Sequence, residues 1–370
     1  MQKQLKSAMN VLVIFAALGL LLACEPMVTT FDDVENGNLY TAKSIQPAPT
    51  TVESIHLMTW NIRFGAGTLP WFGDSKGSRV MLTEDEVFHN LYGIAATLER
   101  TQPDILLIQE IDIESKRTAY IDQVQWLLDH TYFNYGAYAS AWKAQVVPSD
   151  GLGRMDMGNA ILSRWPITRA ERIKLPLRGD QDALTKHFYL RRNILKTQIA
   201  LPGVDDFYAV NIHASAFSTD DTKKRQLDIF KMELDKLAAA NIPFVAGGDL
   251  NSLPVNATKL DYCLIDKRDD ESFHGPNDDP KHKEGSWFEN EITWLQELYD
   301  AYYPAVPLED YGANEAFYFT HTTDWNAPYD RKLDYLWSKT PWVAGSDSTH
   351  QDARPWSDHA PVSAVWEVPQ

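Results

Sequence analysis

Cysteine is nearly absent. Cys24 and Cys263 are the only two in 370 residues, so no disulfide framework can hold the fold and a packed core has to. An excess of positive charge is missing too: 34 lysines and arginines face 51 aspartates and glutamates, for a formal charge of −17. No lysine or arginine cluster interrupts that balance. Such a chain repels phosphate backbones except through a bound cation or a local basic patch, which speaks against a dedicated nucleic-acid reader but not against an enzyme that uses a metal ion. There is no internal repeat. What is present is 44% hydrophobic and 12% aromatic residues, enough to bury one large core or two small ones.

The most apolar run, Val11 to Ala23, is too short for a comfortable membrane span and follows the basic Lys3 and Lys6, which is the form of an export signal. It ends in Leu21-Leu22-Ala23-Cys24, which resembles a bacterial lipobox, although Leu22 is a less common residue there. The expectation is a signal peptide over residues 1–23, a diacylated Cys24 and a lipid-anchored, extracytoplasmic chain; plain secretion or an uncleaved anchor are the alternatives. Glu25, in place of the aspartate that argues for inner-membrane retention, points to the outer membrane. Residues 24–52, polar with Pro47 and Pro49 and without periodicity, read as a tether ahead of a domain over 53–370. Lipidation of Cys24 would leave Cys263 unpaired, most simply as a small buried hydrophobe.

Within the domain, Ile55 to Ile62 alternates and predicts a first strand ending at Asn61. Thr83-Glu84-Asp85-Glu86 is a capping box opening a helix to about Arg100. The continuous apolar run Ile105 to Ile108, ending in Gln109-Glu110, predicts a strand covered on both faces. A helix over Arg117–His130, a strand from Gly158 to Ile167, a strand pair over Phe188–Ile199 and Asp206–His213, and a helix over Thr222–Ala240 follow. Phe244-Val245-Ala246-Gly247-Gly248-Asp249-Leu250-Asn251 reads as a buried strand running into a glycine pair; in extended chain Asp249 and Asn251 would share a face. Residues 265–286 form a charged loop, Glu289 to Tyr303 a helix, and Lys332–Trp337 and Ser357–Trp366 the last strands.

Asn61, Glu110, Asn159, His213, Asp249 with Asn251, Asp334, and Asp358 with His359 thus stand at or near strand ends. Thr-Trp-Asn-Ile, Leu-Ile-Gln-Glu, Gly-Asn-Ala-Ile-Leu-Ser-Arg, Asn-Ile-His, Gly-Gly-Asp-Leu-Asn, Leu-Asp-Tyr and Ser-Asp-His-Ala-Pro-Val, in that order, resemble the signatures of the endonuclease/exonuclease/phosphatase superfamily over about Ser54–Val368. The resemblance implies a four-layered α/β sandwich, DNase I-like, with two packed mixed sheets flanked by helices and the site at one end. It implies a divalent cation, Mg²⁺ with Mn²⁺ as the alternative, on Asn61, Glu110 and Asp358, a donor set suited to a hard cation. It further implies that Asp249 orients and deprotonates the attacking water and that Asn251 contacts the phosphate. His213 and His359 would donate to phosphate oxygens, Asp334 would fix the tautomer of His359, and Asn159 and Arg192 would line the phosphate pocket.

One departure stands out. Abasic-site endonucleases of this superfamily carry an acid two residues after the first-strand asparagine, where this chain has Arg63. With the basic loops of nucleases also missing, the expected activity is hydrolysis of a small-molecule or lipid-derived phosphate mono- or diester by a monomeric chain. An extracytoplasmic DNase I-like nuclease and a non-catalytic surface binding protein are the rival readings.

Overall fold

The computed structural model describes residues 28–73, 77–218, 220–267, 285–324 and 326–369. The expected signal peptide and Cys24 lie outside these residues, as does most of the charged loop. Among the described residues no helix is long and apolar enough to cross a membrane.

Two seven-stranded mixed sheets make the two inner layers. The first runs β13 (Ser348–Thr349), β14 (Val362–Glu367), β3 (Ser54–Asn61), β4 (Ile105–Asp112), β6 (Gly153–Ser163), β5 (Tyr135–Val147), β2 (Asn38–Thr41). The second runs β1 (Val34–Asn36), β7 (Ile167–Lys174), β8 (Asn193–Ile199), β9 (Tyr208–His213), β10 (Phe244–Asp249), β12 (Asp334–Ser338), β11 (Tyr303–Pro304). Alternation along each strand divides its side chains between two cores. Leu57, Ile105, Leu107, Ile161, Leu195, Val245, Leu336 and Ala364 meet between the sheets. Met58, Trp60, Leu106 and Ile108 face outward onto the helices Glu84–Thr101 and Gln123–His130. Val210, Ile212 and Ala246 pack outward on the other sheet, against the helix Thr222–Ala239. The architecture is the expected four-layered α/β sandwich.

Local signals explain where elements begin. The capping box forms in full: Thr83 accepts from the Glu86 N–H and Glu86 accepts from the Thr83 N–H at 2.9 Å. The helix expected from Arg117 starts only at Gln123. Arg117 is instead buried in a two-pronged ion pair with Asp112, both bonds 2.9 Å, and Ala119 and Tyr120 take left-handed φ. The expected helix Glu289–Tyr303 is broken into a turn at Glu289–Glu291 and a short helix Gln296–Ala301, because its apolar residues serve two cores: Phe288 and Ile292 pack on Tyr262 and Leu253, Leu295 and Leu298 under β10 and β12. The strand expected from Phe188 begins only at Asn193, and Phe188 instead ends a short helix, Ala183–Phe188, capped by Asp182.

The expected tether needs the largest correction. Val34–Asn36 pairs with β7, Asn38–Thr41 pairs with β5, and Val28 bridges to Ala144, so this stretch adds an edge strand to each sheet. The side chains are mostly exposed, and backbone pairing at the sheet edges holds the stretch without the apolar alternation that would have marked it in the sequence.

The pKa of His350, half-buried beside β14 with Nε2 2.8 Å from the Ser363 hydroxyl, is held down to about 4 by loss of solvent. A histidine whose folded value lies below its unfolded one binds fewer protons when folded, so its contribution to stability is present above about pH 6.5 and lost as pH falls through that value towards 4. The expected result is that His350→Gln flattens the fall of Tm between pH 7 and pH 4.5; parallel wild-type and variant curves in thermal melts would contradict it.

Candidate active site

Sheet register builds the site. Asp249 at the end of β10 is paired with His213 of parallel β9 on one side and with Asp334 of antiparallel β12 on the other, so three functional residues lie in one row. The glycine pair is required by that packing: a Cβ on Gly247 would lie 2.3 Å from the Tyr335 carbonyl oxygen, and one on Gly248, at φ +138°, 1.9 Å from that of Ile212. Asn251 does not continue the extended chain. It turns to φ +50°, and its N–H donates to Asp249 Oδ1 at 3.0 Å, an Asx-type turn. Its side-chain nitrogen donates to the Ala214 carbonyl at 3.1 Å, so in this conformation the carboxamide expected on the phosphate is engaged within the protein.

The first sheet brings its own strand ends to the same place. Asn61 Nδ2 donates to Asp249 Oδ2 at 3.1 Å across the gap between the sheets. Glu110 adopts φ +53° where the β4–β6 register slips between Ile108 and Ile111, and this bulge brings its carboxylate to 3.9 Å from His213 Nε2. Beneath it Gln109 donates to Asn211 Oδ1 at 2.7 Å, and Asn211 donates back to the Ile108 and Ala160 carbonyls, a buried polar tie between the two sheets.

Asp249 Oδ2 is ringed by donors: Asn61, His213 Nε2 at 3.3 Å and His359 Nε2 at 3.7 Å. Burial alone would raise its carboxyl, but the positive charge of His359, with the hydrogen bonds from His213 and Asn61, holds it well below the usual carboxylate range. His359 Nδ1 lies 2.8 Å from Asp334 Oδ2. Burial would lower the imidazole, yet the carboxylates of Asp334 and Asp249 raise it to about 10, so it carries its proton at neutral pH. Aspartate, imidazolium and aspartate therefore alternate in charge from Asp334 to Asp249.

Asp358 precedes His359 and faces Arg63, whose Nε is 3.4 Å from its Oδ2. Burial raises the Asp358 carboxyl and the charge of Glu110 adds to that rise, while Arg63 opposes it. Two carboxylates that repel each other beside a primary amide form a hard-oxygen set of the kind that holds a divalent cation, so Asn61, Glu110 and Asp358 fit that group. Two other groups, His321 with Asp358 and His359, and Asp249 with Asp334 and His359, bring ligand atoms within 4.8 Å of one another. The proton on His359 and its bond to Asp334 make both less suited to a cation.

Arg192 and Asn159 lie on the neighbouring wall. Asn159 Nδ2 donates to the Asn193 carbonyl at 3.1 Å while its Oδ1 has no partner among the described residues. Arg192 is 6% exposed, close enough to Glu110 and Asp249 to feel their charge, and its Nε and Nη1 likewise find no acceptor there. Burial lowers its pKa, and the negative charges of Glu110 and Asp249 work against that lowering.

All ten expected residues of the domain thus gather at one end of the sandwich. Two neighbours were not read as site residues from the sequence. His321 packs against His359 with ring centroids 4.3 Å apart and the rings tilted by 37°, and buried Lys332, lowered to about 8 by burial, donates to the Asp334 carbonyl at 2.7 Å. Lys332 sat beside a quoted motif; His321 precedes a loop with no periodicity to flag it.

The two packed sheets and the carboxylate–histidine row at their shared end define a DNase I-like protein. Residues 58–359 match the endonuclease/exonuclease/phosphatase family, and the chain belongs to it; the enzymes of that family act on phosphoester bonds. An endonuclease/exonuclease/phosphatase from Beutenbergia cavernae is similar in fold at 18% identity and TM-score 0.56, over 86% of this chain and 72% of that one. The human Nocturnin catalytic domain with bound sulfate aligns at 15% identity and TM-score 0.49, over 90% of this chain and 98% of that one. A D. rerio TDP2 humanised by 14 mutations aligns at 15% identity and TM-score 0.48, over 86% of this chain and 100% of that one. Among curated proteins none matches.

Proposed function

We propose that this chain is a metal-dependent phosphoesterase that hydrolyses a small-molecule or lipid-derived phosphate ester by in-line attack of water. The observation that carries the reading is the buried Arg192 guanidinium, with two donor nitrogens lacking an acceptor among the described residues, within electrostatic reach of an ionised Asp249. A buried, fixed cation near a carboxylate suits a phosphoryl group on one side and an attacking water on the other.

In this reading Arg192 and Asn159 hold the phosphoryl oxygens. Asp249 accepts a hydrogen bond from the water and aims its oxygen at phosphorus, opposite the leaving oxygen. As the O–P bond forms and the ester P–O bond breaks, the leaving oxygen keeps the electron pair and takes a proton from solvent to become the alcohol, while the attacking water gives up one proton through Asp249 to solvent, so no net proton is gained or lost in this exchange. His359, protonated and held by Asp334, and His213 donate to nonbridging oxygens as their charge grows. A Mg²⁺ or Mn²⁺ on Asn61, Glu110 and Asp358 would supply positive charge for the phosphoryl oxygens and the leaving group. Because Asp249 is held so acidic, its part is mainly to position and orient the water, with proton transfer completed late.

The formal charge of −17 favours a substrate other than a nucleic acid backbone. The same reading has the chain acting as a monomer outside the cytoplasm, anchored through lipid on Cys24. A panel of bis-p-nitrophenyl phosphate, sphingomyelin and supercoiled plasmid DNA, each with Mg²⁺, tests the substrate class. Turnover of either of the first two without nicking of the plasmid is expected. Salt-sensitive plasmid nicking as the dominant activity would move the substrate to nucleic acid, and silence across a panel widened to monoesters would favour a binding protein.

A further inference from the structure

Arg63 is the feature of the site that none of these roles uses. It stands two residues beyond Asn61, in a turn where Arg63, Phe64 and Gly65 all have left-handed φ, at 48°, 45° and 70°. Two consecutive non-glycine residues in that region are strained, and such strain persists only where the surroundings over-determine it. They do here. Gln123 Nε2 donates to the Phe64 carbonyl and Asn90 Nδ2 to the Gly65 carbonyl, both at 2.8 Å, and the Arg117 guanidinium lies 3.5 Å from the Phe64 ring centroid.

The effect of the turn is to put one residue on two of the three proposed cation ligands. The Arg63 N–H donates to Asn61 Oδ1 at 3.0 Å, and its guanidinium, 3% exposed, approaches Asp358 Oδ2 while Nη1 donates to the Gly67 carbonyl at 2.6 Å. The side chain is therefore locked in place, and its charge is permanent over any working pH.

We propose that Arg63 is a built-in counter-charge of the cation site, one that cancels one of the two carboxylate charges of Glu110 and Asp358 and so limits the site to a single, weakly held, exchangeable divalent ion. The affinity of oxygen-ligand sites for hard cations follows the charge count of their ligands. Two carboxylates with a fixed guanidinium between one of them and the backbone leave a net single negative charge, too little to hold two dications side by side. Arg63 is a positioning residue: it acts through Asp358 and Asn61.

The inference rests on the phosphoesterase reading, and Mn²⁺ binding to the full chain, followed by electron paramagnetic resonance and calorimetry, separates the two. Wild type is expected to bind one Mn²⁺. Arg63→Lys, which keeps the charge, should stay within a few-fold of wild type. Arg63→Met and Arg63→Gln, which remove it, should bind Mn²⁺ about tenfold more tightly or better. Thermal melts identify any variant that has lost its fold, and the glutamine and lysine variants cover a failure of the methionine one. Should folded Arg63→Gln bind no more tightly than wild type, the counter-charge role is overturned while the phosphoesterase reading stands. An absence of Mn²⁺ binding by wild type would overturn the proposed cation site and this inference with it.

Discussion

Replacing Asp249 with asparagine is expected to lower phosphoesterase turnover by ~10³-fold or more while leaving the protein folded. Asp249 Oδ2 is the point where Asn61, His213 and His359 converge, and its charge is part of what keeps His359 protonated. An amide there is nearly the same size, so the sandwich is preserved. It accepts more weakly, however, and presents an NH₂ to donors that need an acceptor. Water would lose its orienting anion and His359 part of the field that makes it an imidazolium. Initial rates with bis-p-nitrophenyl phosphate, read beside circular dichroism, check this; a folded Asp249→Asn variant retaining a tenth of wild-type turnover would sink the assigned role.

The second large effect has opposite signs in activity and stability. Arg192→Met should reduce kcat/KM by about 10²–10³-fold, the scale for losing a preorganised donor to a phosphoryl oxygen. The same change should stabilise the protein by about 1–3 kcal/mol, because it removes a buried guanidinium whose Nε and Nη1 have no acceptor among the described residues and replaces it with an unbranched apolar side chain that follows its stem. The coupling is the informative part. A residue retained for packing alone would lower both when removed, whereas one held for a ligand lowers activity and raises Tm. Chemical denaturation and steady-state kinetics on the same preparation measure the two; a drop in stability together with unchanged kinetics would remove Arg192 from the phosphate pocket.

Much of this site was legible in the sequence because strand ends carry it. Asn61, His213, Asp249 and Asp334 each close or open an apolar, β-rich run; sheet register sets the last three side by side, and the packing of the sheets brings Asn61 to face Asp249. The capping box at Thr83 and the both-faces-buried run at Ile105–Ile108 were equally readable, since each is a local pattern with one structural outcome. What escaped depends on contacts remote in the chain. The strands at 34–41 have no apolar face to announce them and exist through backbone pairing with β7 and β5. The break in Glu289–Tyr303 follows from two separate cores drawing on one segment. Arg63 could be read as a departure from a motif, but its position over Asp358 depends on a left-handed turn fixed by Asn90 and Gln123 from two helices. His321 reaches His359 only because the chain before β12 folds back on the segment before β14.

The central claim is that the carboxylate and amide oxygens at the sheet ends and the Asp249–His359–Asp334 row act together as a cation-dependent hydrolytic centre. Its most direct test is the rate of bis-p-nitrophenyl phosphate hydrolysis by wild type and Asp249→Asn, before chelation, after removal of divalent ions with EDTA, and after addition of Mg²⁺ or Mn²⁺. The account predicts that wild type loses turnover on chelation and regains it with the added ion, while Asp249→Asn stays near background throughout. Turnover that survives both chelation and the Asp249 substitution would contradict it.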